Sequence, residues 1–150
     1  MSDTKKELTI DAVMDNLDQV LGFVDAELEA CDCPIRYQLP IDVAVEELFT
    51  NIASYSYTPD VGTATVRVEV INEPLAVIIT FVDHGVPYDP LKKADPSLNV
   101  EVEDRSIGGF GIFMVKNSMD GINYEYRDGQ NILSIRKNLE GEDEESDEGI

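Results

Sequence analysis

Bases are scarce in this chain, and cysteine and histidine scarcer still. Eleven Lys and Arg stand against 31 Asp and Glu among 150 residues, a formal charge of -20 with a pI near 4.1. Nucleic acids and anionic lipids need a basic face, so neither fits as a general partner. Seven of the carboxylates fall between Glu140 and Glu148 with no base among them. Without those seven, 24 acids still face 11 bases. The only cysteines, Cys31 and Cys33, are one residue apart. A disulfide between them would close a strained ring, and His84, the sole histidine, leaves a zinc site short of ligands. Two reduced thiols at a helix end are the expectation. No run approaches the roughly 18 apolar residues of a membrane span, and the opening MSDTKKEL has no signal-like hydrophobic stretch, which reads as a cytoplasmic protein.

What is present suits one domain with one core. The expected division is a folded unit over 1–137 and a disordered acidic tail over 138–150, which has almost nothing apolar to bury. Glu7 to Ile10 reads as a short edge strand. Asp11 then offers an N-cap to a helix in which Val13, Leu17, Val20, Leu21, Val24 and Leu28 recur at helical spacing. Cys31 to Tyr37 reads as a linker. A second helix is expected to start near Pro40, with Ile41, Val45, Leu48, Phe49 and Ile52 as its apolar stripe. From Gly62 to Ile71 the period becomes two, a strand with one wet face. Leu75 to Val82 is nearly all apolar, a strand covered on both faces or nearly so. Leu91 to Ile107 is a long connection of the kind that forms lids and binding loops. Gly108-Gly109-Phe110-Gly111 opens a third helix through about Met119. Two strands around Asp128-Gly129 make a terminal hairpin. The sum is α+β: a two-layer sandwich with an antiparallel or mixed sheet of four to five strands and three main helices on one face.

Four features carry chemistry. On the second helix Glu47 and Asn51 are four residues apart and so share a face, while Glu46 points to the other flank. An amide oxygen beside a carboxylate can ligate a hard cation such as Mg²⁺ and handle a proton nearby. Taken alone the pair is weak evidence, and a solvated face describes it better. Asp83-His84-Gly85 follows the buried strand: a carboxylate held there can accept a hydrogen bond from the amine of a bound base, and Gly85 admits close approach to the backbone. Taken alone it also describes a simple turn. Gly108, Gly109, Phe110 and Gly111 at a helix start offer unhindered N–H groups to an anion, or simply a tight turn. The string lacks the GKS/GKT ending of a P-loop, and a loop rather than a strand precedes it. Lastly Lys92, Lys93, Arg105 and Lys116 gather four of eleven bases near that anion site. Screening beyond about 8 Å at physiological salt leaves local charge, not the global -20, to decide whether a triphosphate binds.

In the order Glu47-x-x-x-Asn51, Asp83-x-Gly85, Gly109-x-Gly111, these motifs resemble the N, G1 and G2 boxes of the GHKL ATP-binding superfamily. The strings VEELFTN, VDHGVPYDP and IGGFGIFMVKNSMDGINYEYRDGQNILSIRK are similar to the bacterial anti-sigma-factor serine/threonine kinases of partner-switching systems, over about residues 7 to 137. The resemblance implies a Bergerat-type α/β sandwich holding ATP and Mg²⁺ between the second helix and the lid. It implies Glu47 as general base, Asn51 as Mg²⁺ ligand and Asp83 as the reader of the adenine amine. Gly85, Gly108, Gly109, Phe110 and Gly111, with Lys92 and Arg105 of the lid, would serve the nucleotide and its phosphates. It further implies a Ser/Thr of a small antagonist protein as substrate, a sequestered sigma factor or similar partner, and a homodimer. The family often has a histidine four residues after the asparagine, where this chain has Tyr55, and many members have Phe where it has Tyr88. A catalytically inactive, nucleotide-gated binding module is the alternative. A histidine kinase fares worse, because the only histidine lies inside the Asp83-x-Gly85 loop. A gyrase-like or chaperone ATPase would need a transducer domain for which the chain has no room.

Overall fold

The computed structural model of the chain describes residues 4–57, 60–72, 75–92 and 110–139. Five strands, β1 (Thr4–Asp11), β2 (Thr63–Ile71), β3 (Ala76–Asp83), β4 (Gly121–Arg127) and β5 (Gln130–Asn138), form one sheet in the order β1-β2-β3-β5-β4. Every neighbouring pair is antiparallel, which excludes the mixed sheet. Three helices, α1 (Leu17–Ala30), α2 (Ile35–Asn51) and α3 (Phe110–Ser118), complete an α+β sandwich.

Alternation explains the layers. Val66, Val68 and Val70 of β2, Val77, Ile79 and Phe81 of β3, and Leu133 and Ile135 of β5 point to one side. There they join Val20, Val24, Leu28, Ile41, Val45, Phe49, Ile112 and Val115 of the helices in a single core. Side chains as large as Phe49 and Phe81, almost wholly buried, each contribute about 2–3 kcal/mol of transfer free energy. The opposite face carries cross-strand polar pairs: Glu7–Arg67 at 2.6 Å, Thr9–Thr65 at 2.8 Å and Thr80–Ser134 at 2.9 Å. As the central strand, β3 is shielded by its neighbours even on that open side, where Thr80 is buried, so its nearly continuous apolar run finds a nearly two-sided cover.

Two helix starts differ from expectation. Asp11 is the last residue of β1, not an N-cap; a 3₁₀ turn over Met14–Asn16 leads into α1, and the Asn16 side chain donates to the Asp11 carbonyl at 2.9 Å. Helix α2 begins at Ile35 rather than near Pro40. Pro34, extended at ψ 144°, stands at the N-cap, and the amides of Tyr37 and Gln38 bond its carbonyl. Pro40 therefore sits inside the helix. It has no N–H to offer the carbonyl of Arg36, four residues back on the helix.

The α1–α2 turn is a Schellman motif. Asp32 takes φ 59°, its amide bonds Glu29, and the Cys33 amide bonds Leu28. This places Cys31 and Cys33 as free thiols at a helix end. Burial pushes both thiols up, Cys33 to about 11. At the far end of the sheet Asp128 and Gly129, both at positive φ, close the β4–β5 hairpin. Packing continues through Leu139, which is buried with its amide bonded to the Leu75 carbonyl. Among the described residues no helix is long and apolar enough to cross a membrane.

Candidate nucleotide site

Strand pairing sets Asp83, the last residue of β3, directly opposite Asn131 of β5. Both face the helices and both are buried. A buried carboxylate needs donors. Asp83 Oδ1 receives two: the Gly85 amide at 2.8 Å and Asn131 Nδ2 at 2.9 Å. Neither bond uses its Oδ2. Asn131 spends its whole amide locally. Nδ2 also donates to the Val86 carbonyl at 2.9 Å, while Oδ1 accepts the Tyr88 amide at 3.1 Å and the Tyr124 hydroxyl. Burial pushes the Tyr124 hydroxyl up, aided by the carboxylates of Asp89 and Asp83, which keeps it a donor.

Around this network lies a small cleft of about 360 Å³, counting its part open to solvent. Leu48, Ile52, Phe81 and Leu133 form its apolar wall; Asn51, Asp83, Tyr88, Tyr124 and Asn131 supply the polar groups. Asn51 Nδ2 is buried there without an acceptor among the described residues. Such an orphaned donor costs about 1–3 kcal/mol unless a ligand completes it.

Beyond Asn51 the helix widens into a π-helical segment, Ile52–Ser56. Insertions of this kind re-aim side chains and recur at functional sites. Here the segment brings the Ser56 carbonyl onto the β3 loop, where it accepts the Val86 amide at 2.9 Å. A Cβ at position 85 would overlap that carbonyl, so the close approach that requires glycine at Gly85 comes from the protein's own backbone. Tyr55, presented by the same segment, lies against Tyr88 with ring centroids 5.4 Å apart. Tyr57 braces the loop from behind: its hydroxyl accepts the His84 amide and donates to the Thr63 carbonyl, both at 2.7 Å.

One turn before Asn51, the Glu47 carboxylate lies against Gly111 at the head of α3, and a Cβ on Gly111 would collide with it. Glu47, Asn51 and Asp83 thus belong to one region, with Gly111 packed on the first of them. His84 is exposed, its ring near the Gln130 amide at 3.1 Å. Lys93, Arg105, Gly108 and Gly109 lie outside the described residues, as do the side chains of Lys92 and Phe110.

Residues 10–137 match a family model described as a histidine kinase-like ATPase domain. The chain belongs to that family. It is 27% identical to the serine/threonine-protein kinase BtrW of Bordetella bronchiseptica over 100 residues, 67% of this chain and 70% of the relative. It is 30% identical to a serine-protein kinase RsbW of Bacillus cereus over 109 residues, 70% of this chain and 66% of the relative, so it spans slightly under two thirds of that protein's length. Among solved structures, the RsbU and RsbW domains of a Mycobacterium tuberculosis protein align at a TM-score of 0.66 and 15% identity, covering 91% of this chain and 32% of that one. The SiaB–SiaC complex from Pseudomonas aeruginosa aligns at 0.54 and 15%, covering 87% of this chain and 88% of that one. Identities this low speak for the fold.

Within this ATPase-family domain the motif reading singled out Glu47, Asn51, Asp83, Gly85 and Gly111, and the fold gathers them. It passed over Asn131 and Tyr124, and marked Tyr88 only as a departure from the family's Phe. One signal for Asn131 was available: in Asn131, Leu133, Ile135 it occupies an inward position of an alternating strand, where a polar side chain must have a partner.

Proposed function

We propose that the protein is an ATP-dependent serine/threonine protein kinase. It passes the γ-phosphate of ATP to a Ser or Thr of a small antagonist protein and otherwise sequesters a regulated partner such as a sigma factor, as a cytoplasmic homodimer. The relatives named serine-protein kinases support this reading. The observation that carries it is that Asn51 and Asp83 line one cavity, with Glu47 one helical turn before Asn51 and its carboxylate held beside the first turn of α3.

The donor set fits the nucleotide. Asp83, oriented by Asn131 and Gly85, keeps one oxygen for the exocyclic amine of a base. The amide oxygen of Asn51 suits a hard cation that takes its remaining ligands from phosphate and water. When bound, Mg-ATP supplies the phosphoryl group and part of the charge neutralisation. Glu47 holds and accepts the proton of the acceptor hydroxyl, and the helix-start glycines with Lys92 and Arg105 receive phosphate oxygens. Purified protein given Mg-ATP and its cognate antagonist is expected to yield phosphoserine or phosphothreonine. Glu47→Gln should keep ATP binding by calorimetry and lose about 10²–10⁴-fold in transfer. Transfer that persists in the variant removes Glu47 from the role, and no heat with millimolar Mg-ATP removes the site.

A second reading, a nucleotide-gated module without transfer, draws on Tyr55, which stands where the family often has histidine and packs on Tyr88. Mg-ATP binding with no phosphorylated antagonist would select it.

A further inference from the structure

Helix α2 has an apolar side that the core does not use. Ile35, Leu39 and Val43 are 64%, 58% and 50% exposed, four residues apart, on the side away from Ile41, Val45 and Leu48. Eight residues of helix set them along about 12 Å. Three exposed large apolar side chains in one row on a short surface helix are a patch, not scattered singles.

The segment that carries the patch is strongly acidic. Residues 12–57 carry nine carboxylates, from Asp15 to Glu47, against one base, Arg36. Arg36 lies over the Tyr37 ring at 5.1 Å. Beside the row, at the seam with α1, Asp42 is hydrogen-bonded to Asp25, and each has an Oδ1 that is buried without a partner. Among the described residues these two carboxyl groups have no cation to offset them. We propose that the outer face of α1 and α2 docks a helical segment of another protein whose apolar side chains, at i, i+4 spacing, are flanked by Lys or Arg.

The occupant follows from charge. Residues 140–148 of this chain bring seven more carboxylates and would be repelled. A second copy pairing face to face about a two-fold axis would set the same acids against themselves. A basic, apolar helix would cover Ile35, Leu39 and Val43 and place guanidinium or ammonium groups at the Asp25–Asp42 seam. The proposal does not rest on the nucleotide reading, because this face points away from Asn51 and Asp83.

The probe is a synthetic 18-residue helical peptide with a leucine row flanked by arginines, titrated into the full-length chain. A counterpart with the arginines replaced by glutamate serves as control. The arginine peptide should bind, shift the amide resonances of α1 and α2, and weaken as salt rises; the glutamate peptide should not bind. Ile35→Ser/Leu39→Ser/Val43→Ser, which keeps every charge, should lose at least tenfold in affinity, and Leu39→Ser alone about threefold. Asp25→Asn/Asp42→Asn should also lose about threefold. Mg-ATP binding by all variants should stay within twofold of the parent, so failure here is separable from failure of the kinase reading. Equal binding by the serine variants, shifts centred on residues 140–148, or a parent dimer that the serine variants dissociate in sedimentation would each overturn the proposal.

Discussion

Two aspartates, Asp83 and Asp42, are both drawn out of water, and the protein treats them in opposite ways. Asp83, almost wholly buried at the end of β3, is met by an N–H of its own loop and by the Asn131 amide. Asp42, half-buried between α1 and α2, is met by another carboxyl, that of Asp25. Burial first, then that hydrogen bond and the charges of Asp25 and Glu29, raise it to about 7. The deeper acid is the better satisfied. Burial alone does not set the character of a carboxylate; the number of donors aimed at it does. Where the donors are supplied, one oxygen is left over for a ligand. Where they are not, the site waits for a proton or a cation.

The most damaging way to break this contrast is to remove the donors from Asp83. Asn131→Leu keeps the volume but leaves Asp83 short of one hydrogen bond and strands the Val86 carbonyl, the Tyr88 amide and the Tyr124 hydroxyl. A loss of about 3 kcal/mol is expected, near 10 °C in Tm by calorimetry, with ATP affinity down more than tenfold. An unchanged Tm would mean that the network is ornamental. Two glycines give the next comparison. Gly85→Ala meets the Ser56 carbonyl, backbone that cannot step aside, and should cost about 2 kcal/mol. Gly111→Ala meets only the end of the Glu47 side chain, which can swing away. That variant should melt within about 1 kcal/mol of the parent yet lose about as much phosphoryl transfer as Glu47→Gln. Equal effects on stability and transfer at the two positions would dissolve the distinction.

The sequence was legible wherever one residue's pattern decided the outcome. Alternation in β2, the nearly continuous apolar run of β3 and the Asp128-Gly129 turn identified strands, and helical spacing identified Glu47 and Asn51 as neighbours. Starts were misread where two signals competed. Pro40 looked like a first-turn proline, but Pro34 already stood at the N-cap and Pro40 falls in the second turn of the helix. Asp11 looked like a cap, but pairing with Thr63 keeps it in the strand. The partners of Asp83 were hidden for a different reason. The side chain that orients it, Asn131, comes from β5, far along the chain, and only the antiparallel register across β3 and β5 makes it a neighbour.

At the other carboxylate the expected effects are smaller and carry a sign. Since Asp42 titrates near 7 in the fold against about 3.9 in the unfolded chain, the native state binds more protons between those values. Stability from this group is therefore full below about pH 4 and is lost as pH rises through about 7. Asp42→Asn removes the penalty while still donating to Asp25. Discounted for solvent, the gain should be about 1 kcal/mol at pH 8 and should vanish toward pH 4, read from urea unfolding at both pH values. A variant less stable than the parent at pH 8 would show that the carboxyl finds a partner after all.

The smallest effect sits beside it. Burial raises the Cys33 thiol to about 11, with further contributions from Cys31 and Asp42. At pH 8 its thiolate should be scarcer than that of an ordinary cysteine by about a hundredfold, and alkylation by iodoacetamide slow in proportion. Because Asp42 is the last of the three causes, Asp42→Asn should quicken the reaction about twofold and no more. A tenfold acceleration would mean that charge, not burial, governs the α1–α2 seam. Asp42 would then dominate that corner of the fold as thoroughly as Asn131 governs the pocket.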